Sequence, residues 1–449
     1  MRPITTYNQA VAALLSLNNL PVKQYLKDPR QCDIYLKRLQ WLLDHLGNPE
    51  KKLRFIHIAG TSGKGSVTTM LHEILRAAGY RVGSYTSPYV AAFTDRWHLD
   101  GKLISPDDLV THTNTALEAV ELSLVESPHG PPSYFETLMA LAFVYFNHKK
   151  CDWVVLETGC GGDFDASNVI PAPRLAIITN IGLDHTEILG KTRSAIAKRK
   201  AGIFKAGSVA IIGEPNPEIA AQLAACAKEA RMKQVIRVPR PHHVAVDDRG
   251  TQFTHRNKQW HARMVGTFQA ENAAVAIEAA RALRIGEAHI DRGLREARIA
   301  GRFEIMQESP TVILDGAHNQ DKMDALLATL HRVYPKRPVS CLVAATNNAG
   351  KATMFDGLFR GAQDIAATRF TTKHRPALNP RILAARAKEL NPRANVRAFL
   401  FPRDGLRWLI QQATRNEIIL VTGSLFLVSD MRGIWMPESR IVEKQRAFV

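Results

Sequence analysis

Short apolar runs alternate along this chain with amphipathic stretches of 10 to 17 residues. That rhythm predicts βα units and a largely parallel sheet, because a strand buried on both faces reads as a continuous apolar run. Phe55–Ala59 reads as a buried strand that feeds a glycine-rich turn, and residues 66–78 then carry helical spacing until Gly79 stops them. Val82–Tyr85, Trp153–Glu157 and residues 175–180 and 209–213 read as further strands. Helices are expected over Pro106–Glu126, 134–147 and 219–231.

Between residues 235 and 265 the pattern changes to short β-like pieces, with Asp247-Asp248-Arg249-Gly250 as a turn, which suggests a hairpin insertion or an edge sheet. Helical spacing returns over 270–283 and 288–298. After Gly301 a second α/β series begins, with strands expected at 311–315, 339–344, 364–371 and 417–422. The boundary between two domains is therefore expected near 299–302, giving units of 1–299 and 300–449. No internal repeat or low-complexity segment is evident.

Composition changes this picture little. At 449 residues with 45% hydrophobic content, the chain has enough apolar material for two cores. The order of charged, apolar and small residues that marks a signal peptide is missing, as is any apolar run long enough for a bilayer, so a soluble, cytoplasmic protein is expected. Five widely spaced cysteines without a C-x-x-C pair argue against a disulfide framework or a structural zinc site. The net charge of +17 suits nucleic acid, an anionic membrane or small polyanionic substrates alike. Charge alone does not choose among them.

The turn Gly60-Thr61-Ser62-Gly63-Lys64-Gly65-Ser66 lies between an expected strand and an expected helix. In that setting glycines let backbone N–H groups wrap phosphate oxygens at a helix N-terminus, and Lys64 supplies a point charge for the terminal phosphates. The spacing departs from G-x-x-x-x-G-K-[ST], since Gly65 separates Lys64 from Ser66. Nucleoside triphosphate binding is the expectation.

This turn resembles the G-T-N-G-K-G-S loop of the folylpolyglutamate and dihydrofolate synthases, the folate branch of the Mur ligases. Further segments resemble the family's motifs in the same order: Tyr85-Thr86-Ser87-Pro88, the run from Glu157 to Asn168, the run from Thr179 to Gly190, and Lys200-Ala201-Gly202-Ile203. Gln269-Ala270-Glu271-Asn272, Gly301-Arg302-Phe303-Glu304, Leu314-Asp315-Gly316-Ala317-His318-Asn319 and Thr422-Gly423-Ser424 complete the set. An ordered series over nearly the whole chain is far more specific than any one motif.

The resemblance implies an N-terminal P-loop nucleotide-binding domain with a mostly parallel sheet and a smaller C-terminal Rossmann-like α/β domain. It implies an ATP- and Mg2+-dependent ligase that adds L-glutamate to a pterin-containing acid through an acyl phosphate. Gly60, Thr61, Ser62, Gly63, Lys64, Gly65 and Ser66 would hold the phosphates, with Gln269 and Asn272 beside them. Ser87, Glu157 and His185 match the family's metal positions, and Lys200 matches a lysine that is carbamylated and helps bind a second Mg2+. From the C-terminal domain, Arg302 would reach the ATP phosphates, while Asp315, His318 and Asn319 match contacts to the nucleoside. Lys64, His185, Lys200 and Arg302 are the candidate catalytic groups, and a monomer without nucleic-acid or membrane partners is expected.

The likeness departs from the family pattern at Ser62 (for asparagine), Tyr89 (for histidine), Asp163 (for arginine) and Gln320 (for proline). Asp163 bears on how an anionic substrate is held. Three alternatives stay open on sequence grounds: a Mur-family paralogue for a non-folate acid, a nucleic-acid-stimulated ATPase, and a noncatalytic nucleotide-binding module.

Overall fold

The computed structural model describes residues 3–19, 32–347, 351–372 and 375–448. Its first sheet contains β1 (Phe55–Ala59), β2 (Val82–Tyr85), β3 (Trp97–Leu99), β4 (Lys102–Leu103), β5 (Trp153–Glu157), β6 (Leu175–Ile178), β7 (Val209–Ile212) and β8 (Gln234–Arg237). Their order is β4-β3-β2-β5-β1-β6-β7-β8. The run from β2 to β8 is parallel; β3 and β4 add an antiparallel edge.

Alternation along each central strand feeds opposite cores. In β1, Phe55 enters one apolar cluster with Val154 and Leu156 of β5, whereas Ile56 and Ile58 enter another with Val155. In β6 and β7, Ala176, Ile178, Ala210 and Ile212 face a third cluster, while Leu175, Ile177 and Ile211 join the second. Burial of both faces is the physical reason these strands lack polar alternation. Against the second cluster the Lys64–Ala77 helix packs on the Glu287–Glu296 helix. A Cβ on Gly293 would stand 2.4 Å from Ile74 Cα, so only glycine allows this approach.

β9 (His242–Asp247), β10 (Gly250–His255) and β11 (Lys258–Ala262) form a separate antiparallel sheet in the order β11-β10-β9. The expected turn joins β9 to β10, with Asp247 Oδ1 accepting from the N–H groups of Arg249 at 2.9 Å and Gly250 at 3.1 Å. One sequence reading needs correction: residues 235–237 are not part of this insertion but belong to β8, which pairs in parallel with β7 as the far edge of the first sheet.

The third sheet contains β12 (Glu304–Glu308), β13 (Thr311–Leu314), β14 (Val339–Val343), β15 (Ala362–Ala367), β16 (Asn395–Ala398) and β17 (Ile418–Thr422). Its order is β12-β13-β17-β14-β15-β16, parallel except for the β12 hairpin partner of β13. The strand expected over 364–371 begins and ends earlier, at Ala362–Ala367. Cys151, Cys160, Cys226 and Cys341 are free thiols. Among the described residues, no helix is long and apolar enough to cross a membrane.

Candidate active site

In a parallel sheet the strand ends with free carbonyls all point to one edge, and ligands gather in the crevice outside it. β1, β5 and β6 end there on Ala59, Glu157 and Ile178, with Ile58 opposite Glu157 and Ala59 opposite Ile178. The glycine turn leaves β1 at this edge. Gly60 has φ +155° and Gly63 φ +81°, and a Cβ on either would collide with Thr179 Oγ1 at 1.8 Å or Asn272 Oδ1 at 2.1 Å.

The segment leaving β6 clamps the turn. Asn180 Oδ1 accepts from Ser62 N–H at 2.8 Å, Asn180 O accepts from Thr61 N–H at 2.9 Å, and Thr179 donates through Oγ1 to Ser62 O at 2.6 Å. Thr61 Oγ1 accepts from Gly182 N–H at 2.9 Å. Gly63 caps the Lys64–Ala77 helix without a side-chain hydrogen bond. The first N–H groups of that helix have no partner in the preceding turn, which makes its N-terminus an anion-binding end.

Three sequence-selected cations and acids meet at this end. Lys64 donates through Nζ to Gly60 O at 3.2 Å and lies 3.9 Å from Glu157 Oε1. Glu157 also accepts from the backbone N–H of Ser87 at 3.3 Å. Burial pushes its carboxyl above the ordinary range, and the charges of Lys64 and Arg302 pull it back only in part. A buried carboxylate so incompletely matched, beside the serine of Tyr85-Thr86-Ser87, is a hard-oxygen setting suited to Mg2+.

Lys200 is 4% exposed and donates through Nζ to Gly60 O at 2.8 Å. It stands at the end of the Arg193–Lys200 helix, so the neighbouring Lys198 and Arg199 do not share its environment. Burial first, and the charge of Lys64 second, push its ammonium down to about 7. His185 sits in the left-handed region at φ 50°, on the loop that follows Asp184. Although the residue is exposed, partial desolvation outweighs the attraction of Asp184 and Glu187 and holds the imidazole below its usual value.

Gln269 and Asn272 are buried on the first turns of the Thr267–Ala282 helix and bonded to each other, Asn272 Nδ2 donating to Gln269 Oε1 at 2.9 Å. Asn272 thus forms the wall that Gly63 approaches.

The second α/β series supplies the opposite wall. Asp315, at the end of β13, accepts from Phe303 N–H and Ala317 N–H, each at 2.8 Å. A Cβ on Gly316 would lie 3.3 Å from an Arg302 terminal nitrogen, placing the guanidinium over that turn. His318 lies between Gly316 O, 2.8 Å from Nδ1, and Lys322 Nζ, 3.1 Å from Nε2. Burial and the nearby Lys322 and Arg302 charges lower its pKa to about 3, leaving it neutral. Asn319 caps the Gln320–Val333 helix by accepting from Lys322 N–H at 3.0 Å.

The walls are in contact. Lys322 Nζ is 3.8 Å from Asp184 Oδ2, and Gly182 stands against Asp321. Lys322 itself is pushed down to about 8 by burial, Arg302, Lys64 and Lys351. Cations of both series therefore add to burial in lowering the basicity of Lys322, an unfavourable crowding of charge that a polyphosphate would relieve.

Four groups in this cleft were given no role by sequence reasoning: Thr179 and Asn180, which head one of the family-like segments and shape the turn, and Lys322 and Lys351, which bracket His318. Thr179 and Asn180 follow β6, the strand beside β1, and strand adjacency is the signal that could have found them. Lys322 was within reach as the residue one turn past His318 on a helix. Lys351 lies far along the chain, and only the fold brings it to His318 O, at 2.5 Å.

Comparison with known proteins agrees with this construction. Residues 58–280 match the Mur ligase middle domain and residues 301–425 the Mur ligase glutamate ligase domain. Fold and cleft together are those of a Mur ligase. The dihydrofolate synthase/folylpolyglutamate synthase of Bacillus subtilis is 34% identical over 427 residues, covering 88% of this chain and 94% of that protein. The folylpolyglutamate synthase of Lacticaseibacillus casei is 31% identical, covering 88% and 93%. Among solved structures, E. coli FolC in complex with DHPP and ADP aligns with TM-score 0.79 and 28% identity, covering 95% of this chain and 97% of that one. Folylpolyglutamate synthase of Mycobacterium tuberculosis, complexed with ADP and AMPPCP, aligns with TM-score 0.83 and 28% identity, covering 95% and 99%. The chain belongs to the folylpolyglutamate synthase/dihydrofolate synthase family.

Proposed function

We propose that this enzyme joins L-glutamate to dihydropteroate, to reduced folates, or to both, at the expense of ATP. The carboxylate oxygen of the acid attacks the γ-phosphorus, ADP leaves, and an acyl phosphate forms. The glutamate amine then attacks the acyl carbon, phosphate departs with the bonding pair, and the amine's extra proton is lost. Stabilising charge on the transferring phosphoryl group is the main demand.

The observation that carries this reading is the clamped glycine turn at the helix N-terminus, with Lys64 and Glu157 beside it and Arg302 facing it from the second series. In it the Gly60–Ser66 backbone and Lys64 hold the phosphates, Gln269 and Asn272 support them, and Arg302 approaches from the far wall. Asp315, His318 and Asn319 hold the nucleoside side. Ser87, Glu157 and His185 are the residues for Mg2+, which supplies charge neutralisation on the phosphates when bound. The units 1–299 and 300–449 act as two closing domains of a monomer in the cytoplasm, without nucleic-acid or membrane partners.

Lys200 is the second metal position. A neutral amine is needed to add CO2, and an ammonium held near 7 supplies one at physiological pH. The ammonium gives up one proton, the neutral amine nitrogen bonds to the carbon of CO2, and a second proton leaves the nitrogen, so a cation becomes an anionic oxygen ligand. Mass measurement of the intact chain under bicarbonate shows a carbamate gain if this is right. Activity of Lys200→Ala restored by a short carboxylate supports it further; no gain with full activity of the variant ends it.

The deciding experiment is phosphate release with ATP, Mg2+ and L-glutamate across dihydropteroate, tetrahydrofolate, folylglutamates and unrelated acids, with products read by mass. Turnover confined to unrelated acids refutes the folate substrate. ATP splitting driven by DNA or RNA without glutamate refutes the ligase reading.

A further inference from the structure

Away from the nucleotide cleft, three side chains with transition-metal chemistry meet where two helices of the first series pair. Asp108 and His112 lie one turn apart near the start of the Pro106–Glu126 helix, and His148 is the last residue of the Tyr134–His148 helix. A carboxylate oxygen and two ring nitrogens from these residues all lie within 4.8 Å of one another. Asp108 is half-buried, His112 is 4% exposed, and His148 is open to solvent, so the group has a buried floor and an accessible mouth.

We propose that Asp108, His112 and His148 form a binding site for a borderline divalent transition ion of the Zn2+ type. The key dimension is the 3.2 Å separation between His148 Nδ1 and His112 Nε2. With metal–nitrogen bonds of about 2.0–2.1 Å, two nitrogens at that separation subtend roughly 100–106° at the ion, close to the tetrahedral angle. The two rings are tilted by 72° with centroids 5.1 Å apart, so they meet edge-on and are not stacked. Two imidazoles with one carboxylate, and room for water at the mouth, are a donor set that Zn2+ accepts and Mg2+ does not favour.

His112 is buried at the floor of the group, its Nε2 meeting His148 Nδ1. Asp108 is currently held by Lys149 Nζ at 2.7 Å and Ser105 Oγ at 2.8 Å. The Ser105 contact plays the supporting part usual around ligating carboxylates. The Lys149 ammonium is the positive charge now facing that carboxylate, and it lies 5.8 Å from the centroid of the Tyr145 ring. Lys149 is thus an internal competitor that tunes affinity downward. A bound ion would tie the start of one helix to the end of the other.

The test is titration of the full chain with Co2+ and Zn2+ in excess Mg2+, which fills the hard-oxygen site, following the visible ligand-field bands of four-coordinate Co2+ and the binding stoichiometry. One ion should bind per chain and raise the melting temperature. His148→Ala, an exposed change that leaves the core intact, should weaken it by at least about tenfold. Lys149→Met should tighten it, an effect that loss of a plain surface ion pair would not produce. Absence of a stoichiometric ion, or one whose affinity is unmoved in both variants, overturns the proposal.

Discussion

Lys200 and Gly60 are joined by a 2.8 Å hydrogen bond from the lysine ammonium to the glycine carbonyl, although 140 residues separate them in sequence. The contact pins the end of one helix under the turn that faces the nucleotide. It also explains why this lysine, in a run of three basic residues, is the buried one.

The carbamate proposed on this lysine predicts that arginine will not replace it. A guanidinium keeps its proton at any physiological pH, so Lys200→Arg retains the positive charge but offers no neutral amine. Turnover should fall by about 100-fold or more, as for loss of a single group that stabilises transition-state charge. Steady-state phosphate release, with circular dichroism to show an intact fold, checks this.

The glycine turn has no slack at Gly63. An added methyl meets Asn272 Oδ1 at 2.1 Å and must also sit at φ +81°. Gly63→Ala should weaken nucleotide binding by at least about tenfold, since more than about 1.4 kcal/mol of misfit falls on that loop. Adding Asn272→Ser removes the collision but not the backbone strain, so calorimetry with ADP should show partial recovery only.

Glu136 gives a pH signature remote from the cleft. Burial raises its carboxyl to about 7, with the N–H of Ser133 and the charge of Arg38 offsetting only part of the effect. The folded state therefore holds this proton more tightly than the unfolded chain does. Its stabilising contribution is complete below the ordinary carboxylate range and is lost as pH rises through about 7. Glu136→Gln, which can still accept from Ser133 N–H, should match the parent near pH 5 and exceed its stability above pH 8 by about 2–3 kcal/mol. Urea midpoints at the two pH values decide it.

Asp163, one of the departures from the family pattern expected from the sequence, is paired with Arg199 at 2.7 Å. Its charge is therefore answered locally and does not stand against an incoming acid. Both side chains are partly exposed, so Asp163→Ala should cost no more than about 1 kcal/mol. The freed Arg199 should lower KM for the acid more than it changes kcat.

Much of this was legible in the chain because physics acts locally there. β1, β5, β6 and β7 are buried on both sides and announce themselves as apolar runs, and Gly63 and Lys64 carry a turn chemistry that few other functions need. β3 and β4 were not legible, being three and two residues long. β12 was missed because its residues are only half-buried and its partner β13 dominates the signal. Edge strand β8 was misassigned for a related reason, since Gln234 and Arg237 are exposed and mimic an insertion. The clamp by Asn180 was invisible because it depends on β6 lying beside β1, an adjacency fixed by packing and not by either segment alone.

The small antiparallel sheet has one more consequence. Phe253 and Trp260 sink into the first series' core, while Val246 of β9 packs against the core of the second and Val244 O accepts from Arg332 at 3.4 Å. It therefore acts as a shared buttress, since one small sheet touches both cores, while the Asp184–Lys322 contact joins the two series at the cleft. A change of size at Val246 is accordingly felt by both α/β series at once.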